Sequence, residues 1–330
     1  MNPYYDPGKA HHTPQGFRNT ARTSGKTTAE FFRWQRERRN LVIPAPTADL
    51  AAVAADLEFI RTNRSEFAVT WIGHATALVQ LGGLNFLTDP HFSERASPVQ
   101  FMGPRRWQRP GVALAELPRV DVVLLSHNHY DHLDAGSVDA LATQSGGPPL
   151  FLVPLGVDRW MEGAGVTRVR AMDWWESLDY EGATVSFVPA QHWSRRTLAD
   201  TNTTLWGGFV VQAGRRSFYF AGDTGYGPDF TAIGARFGGF DLSLLPIGAY
   251  EPRWFMREAH VNPDEAVRIH RDVRSRRSLA IHWGTFPLTD EPLDQPLADL
   301  AIARKRHRLA AEDFVTLRHG GTLKLDGSPR

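Results

Sequence analysis

The chain has 330 residues, 42% apolar and 22% charged, a globular balance with enough apolar material for a sizeable core. With 37 basic against 36 acidic residues the formal net charge is +1, so no strong field argues for nucleic acid, and phosphate binding has to be local. There is no cysteine, which excludes disulfides, thiolate metal sites and a cysteine nucleophile together. The first residues carry no basic segment followed by an apolar run, and no stretch approaches the roughly 18 continuous apolar residues of a spanning helix. A cytoplasmic protein, soluble or peripheral to a membrane, is expected.

Residues 1 to about 25 are rich in Pro, Gly, His and Asn, and read as an extended arm that wraps the body or is partly disordered. Its pair His11-His12 reads as surface rather than as a ligand pair. Thr27-Thr28-Ala29-Glu30, followed by Phe31, Phe32 and Trp34, predicts an N-capped helix with Arg33, Arg36, Arg38 and Arg39 on its polar side. Two readings of it stand: a helix resting on lipid, and one packing its aromatics on the same chain. Pro44-Ala45-Pro46 ends it, and Thr47 to Arg61 reads as a second helix. Residues 1–67 are thus expected as an arm and helices packed on a body of residues 68–330.

From Ala68 the texture is β: 68–73, 76–81 and 84–89 are short strands, the last two joined by the hairpin signal Gly82-Gly83. A polar loop follows to Pro118, long enough to suggest function. Val120 to Ser126 reads as a buried strand that delivers His127-Asn128-His129-Tyr130-Asp131-His132 to a loop. Three imidazoles and a carboxylate within six residues are costly as neutral packing but suit a divalent metal. With alternate residues pointing different ways, His127 and His129 would face one metal and Asp131 and His132 a second. Helices are expected at 135–143 and 157–162, and strands at 150–154, 166–171 and 183–190, the last ending in Gln191-His192. A hairpin at 206–213 and 216–221 leads to Gly222-Asp223-Thr224-Gly225. Then come a strand at 240–246, a helix at 263–273, a strand at 279–284 carrying His282, a helix near 296–309, and strands at 314–317 and 322–325. Four strand ends therefore carry His127, His129, Asp131, His132, His192, Asp223 and His282. A sheet can gather such ends on one rim, which suits a two-metal site.

The order of these motifs resembles the metallo-β-lactamase superfamily, whose fold is an α/β, αβ/βα sandwich of two facing mixed sheets with helices on the outer faces. More closely, Thr70 to Thr76, Leu87-Thr88-Asp89-Pro90, Ser126 to Asp134, Tyr219 to Tyr226, Pro246 to Met256 and Ala280 to Thr285 are similar to the N-acylphosphatidylethanolamine-hydrolysing phospholipase D family. That resemblance implies two zinc ions, with iron also suited to imidazole. His127, His129 and His192 would hold one ion, Asp131, His132 and His282 the other, and Asp223 would bridge them. It further implies attack of a bridging hydroxide on phosphorus, releasing N-acylethanolamine and phosphatidic acid, with Asp131 and Asp223 in the reacting centre. His260 would orient phosphate or deliver a proton, against a merely structural role at a helix start. His74 and Asp89 would orient ligand imidazoles by hydrogen bonds, and Gln100, Phe101 and Tyr130 would lie along the substrate. The expected partner is a phospholipid at a membrane surface, with no nucleic acid, and the expected assembly is a homodimer. Phe101 and Ala135 stand where the mammalian enzyme has tyrosines, which bears on headgroup and acyl preference. A dizinc hydrolase of a small soluble ester, lactone or phosphodiester is the alternative; it predicts a closed polar pocket where lipid hydrolysis predicts an apolar groove.

Overall fold

The computed structural model describes residues 1–21, 23 and 25–325. In chain order, the hairpin β1 (His12–Thr13) and β2 (Gly16–Phe17) precedes α1 (Thr28–Arg38) and α2 (Leu57–Thr62). The first half of the body is β3 (Ala68–Gly73), β4 (Thr76–Leu81), β5 (Leu84–Thr88), β6 (Val122–Leu124), α3 (Ala135–Ala142), β7 (Leu150–Pro154), α4 (Val157–Gly163) and β8 (Val169–Met172). The second is β9 (Ser177–Tyr180), β10 (Ala183–Val188), β11 (Gly208–Ala213), β12 (Arg216–Phe220), α5 (Asp229–Phe237), β13 (Phe240–Pro246), α6 (Arg253–Met256), α7 (Pro263–Asp272), β14 (Ser275–Ile281), α8 (Gln295–His307), β15 (Phe314–Val315) and β16 (Thr322–Lys324).

These strands build two seven-stranded sheets, ordered β16-β3-β4-β5-β6-β7-β8 and β15-β14-β13-β12-β11-β10-β9. Each has three antiparallel and three parallel pairings, the two kinds grouped at opposite ends of the sheet. Parallel strands need covered faces, and here that requirement explains the unbroken apolar runs. In the first sheet Val122, Leu124 and Leu152 join the core shared with the second sheet, while Val123, Phe151 and Val153 join a separate core under Val138 and Leu141 of α3 and Val157 and Met161 of α4. On the far side, Ile233 of α5, Val267 and Ile269 of α7 and Leu300 of α8 cover the second sheet. The architecture is the α/β sandwich expected. Gly82 and Gly83 have φ of 63° and 83°, the left-handed pair that a two-residue hairpin turn demands.

The arm wraps the body. Phe17 N–H donates to the Asn202 carbonyl (2.8 Å), and the Asn2 amide donates to the Gly16 carbonyl (2.8 Å). His12, expected at the surface with His11, is buried; Asp173 takes His12 Nε2 at 2.9 Å, His11 Nε2 at 2.7 Å and Lys9 Nζ at 2.6 Å. The surface reading of this pair is therefore corrected: a buried carboxylate collects the arm's donors. The long helix expected over Thr47 to Arg61 is also corrected, to Leu57–Thr62 alone. Upstream, Thr47 and Ala48 N–H groups donate to the Asp294 carboxylate and Val53 N–H to the His319 carbonyl, so tertiary partners take the bonds a helix would have used. Helix α1 forms with the full capping box of Thr27 and Glu30, and its aromatics divide. Trp34 packs on Phe255 and Met256, whereas Phe32 is 66% exposed. The sequence reading missed α5, α6 and the half-exposed edge strand β9, and the expected strand 279–284 lies earlier, at Ser275–Ile281. Among the described residues no helix is long and apolar enough to cross a membrane.

Candidate metal centre

The strand ends do meet on one rim. Asp89, directly after β5, is the pivot. Its carboxylate is fully buried and takes Ser126 N–H at 2.7 Å, Ser126 Oγ at 2.5 Å and His132 Nδ1 at 2.6 Å. Because Ser126 Oγ donates to Asp89, it accepts from His127 Nδ1 (2.9 Å). His192, beyond β10, directs its Nδ1 at the Ala259 carbonyl (2.9 Å). In all three rings the outer nitrogen is thus tied as a donor to oxygen, which leaves the Nε2 lone pair of His127, His132 and His192 pointing inward.

Inside, His129 Nδ1 lies 2.9 Å from His127 Nε2 and 3.2 Å from His192 Nε2. Lone pairs that converge so closely repel unless a cation sits among them, and three imidazole nitrogens gathered within 4.8 Å of one another suit one ion. Beside this group, Asp131 Oδ2 lies 3.3 Å from His132 Nε2, 3.5 Å from His282 Nε2 and 3.0 Å from His74 Nε2. His127, His129 and His192 form one set of potential ligand atoms mutually within 4.8 Å, and His74, Asp131, His132 and His282 form another. Asp223 lies between them, 3.1 Å from both His132 and His282 and 3.9 Å from His192. His129 Nε2 and His260 Nδ1 are buried with no hydrogen-bond partner among the described residues, and His260 Nδ1 is 3.7 Å from Asp223. Unpaired buried donors and acceptors of this kind fit a divalent metal, and the chain's His/Asp cluster is a metal-binding one.

Local backbone chemistry makes the approach possible. His74, Asp89 and His282 adopt left-handed φ of 54°, 30° and 62°, strain of the sort found at functional sites. His282 N–H donates to the His74 carbonyl (2.9 Å), which locks two of these residues together. At Gly222 a Cβ would lie 2.6 Å from Ser126 Cβ, so only glycine lets the Asp223 turn reach the motif loop.

The electrostatics divide the cluster. Burial holds His127 and His129 well below the usual imidazole range and His192 down to about 4. Burial also presses on His132 and His282, but there Asp223 and Asp131 outweigh it. His132 is raised well above its ordinary value, and His282 to about 9. Asp131 and Asp223, despite burial, are held well below the carboxylate range by His132 and His282.

The residues expected along a substrate separate. Gln100 and Tyr130 line a cavity of about 640 Å³ together with Asn128, Trp160 and Arg196. Tyr130 donates to the Arg196 carbonyl (2.9 Å). None of the metal-cluster side chains lines that cavity, and Phe101, 81% exposed, lies outside it. Sequence reasoning missed Ser126 and Ala259, which aim His127 and His192. Ser126 could have been found from its place directly before the motif; Ala259 acts through its carbonyl and leaves no side-chain signal.

Comparison with known proteins agrees with this geometry. The β-lactamase superfamily domain matches residues 84–283. The N-acyl-phosphatidylethanolamine-hydrolyzing phospholipase D 1 of Caenorhabditis elegans is 43% identical over 274 residues, covering 78% of this chain and 76% of the worm protein. The mitochondrial enzyme of the same name from Saccharomyces cerevisiae is 39% identical, and the matched segment spans about half, 51%, of its length. Among solved structures, a possible metal-dependent hydrolase from Veillonella parvula matches the fold with a TM-score of 0.63 at 19% identity, over 78% of this chain and 99% of that one. The chain is therefore a metal-dependent hydrolase that belongs to the N-acyl-phosphatidylethanolamine-hydrolysing phospholipase D family of the β-lactamase superfamily.

Proposed function

We propose that this chain is a phosphodiesterase that hydrolyses N-acylphosphatidylethanolamine-like phospholipids to N-acylethanolamine and phosphatidic acid with two metal ions, zinc being the expected pair. The observation that carries this reading is the position of Asp223 between two abutting ligand sets. The 43% identity to the worm phospholipase D points to the substrate class. In this reading His127, His129 and His192 hold one ion, Asp131, His132 and His282 the other, and Asp223 reaches both. A metal pair in such a site supplies Lewis acidity toward phosphoryl oxygens and activates water near neutral pH. His74 steers the Asp131 carboxylate from 3.0 Å, and Asp89 orients His132 directly and His127 through Ser126. His260, with an unpaired Nδ1 beside Asp223, is placed to hold a phosphoryl oxygen or move a proton to the departing alkoxide. Residues 68–330 would form the catalytic body, with the arm adding to its rim.

The test is to load the purified protein with zinc, present N-acylphosphatidylethanolamine in mixed micelles and quantify both products by mass spectrometry beside Asp131→Asn. Both products from wild type and neither from the variant is the expected result. Turnover of a small phosphodiester or lactone with the lipid untouched would select the soluble-substrate alternative. The expected homodimer is checked by light scattering of the loaded protein.

A further inference from the structure

The N-terminal segment brings to the centre a charge that no part of the metal motif supplies. Lys26 precedes α1, which is held down by Trp34: its ring stacks on Phe255 with centroids 5.0 Å apart, and its Nε1 donates to Asp290 (2.9 Å). So anchored, the Lys26 ammonium lies 4.5 Å from the Phe255 ring centroid, 5.8 Å from that of Trp193 and 3.8 Å from Met256 Sδ. Trp193 in turn packs its ring edgewise 4.5 Å from His129. The ammonium thus lies beside Trp193 at the edge of the imidazole set, close enough for its charge to act on His192 and His260. Among the described residues no carboxylate comes within ion-pair distance of it; the charges it feels are those of Glu258 and Asp223.

An ammonium in such a ring-lined setting is only partly compensated. Aromatic faces attract a cation and the aliphatic stem packs on them, yet the lost hydration is not replaced by a counter-ion. Burial accordingly lowers the lysine to about 8. The arrangement becomes favourable when an anion arrives beside it.

We infer that Lys26 is an anion-binding residue of the centre, contacting a charged, non-reacting oxygen of a phosphate group seated at the His/Asp cluster. In the substrate this is a non-bridging oxygen of the phosphodiester, so the inference deepens the phosphodiesterase reading and rests on it. A compact ammonium suits a single oxygen carrying part of one negative charge. The residue lies in the arm, outside the metal-ligand motif.

The test uses the full chain loaded with zinc, as wild type, Lys26→Met and Lys26→Arg. Metal content, melting temperature, the calorimetric affinity for inorganic phosphate, and kcat and KM on N-acylphosphatidylethanolamine in mixed micelles are measured for each. Lys26→Met keeps its metal and melting temperature, binds phosphate about tenfold more weakly and raises KM by a similar factor with a smaller change in kcat; Lys26→Arg restores most of both. A purely structural stem predicts that Met, which preserves the stem, behaves as wild type, and that result overturns the inference. Wild type that binds no phosphate overturns it as well. Phosphate binding that depends on Lys26 without lipid turnover removes the substrate reading and keeps the residue assignment. Lipid turnover with phosphate affinity equal in all three proteins does the reverse. If Lys26→Met loses metal, Lys26→Gln is read instead, by the rise in melting temperature that phosphate induces; a rise equal to that of wild type overturns the assignment.

Discussion

The two halves of the centre hold imidazoles in opposite ways. His127, His129 and His192 are neutral rings: burial suppresses their protonation, and Ser126 and the Ala259 carbonyl fix two of their tautomers. His132 and His282 sit against Asp131 and Asp223, whose charge favours protonated rings when nothing else neutralises it. The first half presents preformed lone pairs, whereas the second presents negative charge that a cation must compete with protons to satisfy. A shared carboxylate, Asp223, couples them, so the halves should fail differently when perturbed.

The largest effect falls on the shared group. Asp223→Asn should lower hydrolysis by about 10²–10³-fold or more and reduce bound metal in both halves, read by product yield and elemental analysis. His127→Ala should instead cost the imidazole half its ion and leave the other half loaded; equal loss of both ions would break the comparison. Next, Asp89→Asn should weaken metal affinity about 10–100-fold, because it aims His132 directly and His127 through Ser126. Ser126→Ala removes the link to His127 but leaves the Asp89–His132 bond in place, and should give the smaller share of that loss in a chelator competition.

The metal-stripped protein separates the halves by pH. His282, raised to about 9 from an ordinary 6.5, contributes stability that is present below pH 6.5 and lost as pH rises through 9. His192, lowered to about 4, does the opposite: the unfolded chain binds more protons between pH 4 and 6.5, so stability falls as pH drops through that window. The melting temperature of the stripped chain should peak near pH 6.5. His282→Asn should flatten the alkaline limb and His192→Asn the acid one; a profile unchanged by either would contradict the division. The smallest effect lies outside both halves. Thr27→Ala removes the α1 N-cap and should cost about 1 kcal/mol of unfolding free energy without changing metal content.

The convergence of the residues proposed as ligands was legible because each follows an apolar run whose length and β-branching read as a buried strand, and strand ends in such a sandwich share a rim. Asp89 and His74, expected as orienting groups through family resemblance, lie against His132 and Asp131. The helix expected over Thr47 to Arg61 failed because local propensity is a weak prior. Asp294 and the His319 carbonyl satisfy that backbone from residues far along the chain. The His11-His12 pair was misplaced for the same reason: Asp173, more than 160 residues away, pulls it inward. Gln100 and Tyr130 share a cavity that Phe101 does not join, a division invisible in residues adjacent in sequence.

By itself the sequence determined most of the buried strands, though not the edge strand β9, which side chains follow them, and that any metal donors are nitrogen and oxygen, since these follow from periodicity, turn residues and the absence of cysteine. Only the tertiary structure decided which nitrogen of each ring faces inward, how the side chains divide around Asp223, and that an arm lysine lies beside Trp193, next to His129. Those outcomes depend on hydrogen bonds and charges between residues tens to hundreds of positions apart, and their distances arise only when both sheets close on one core.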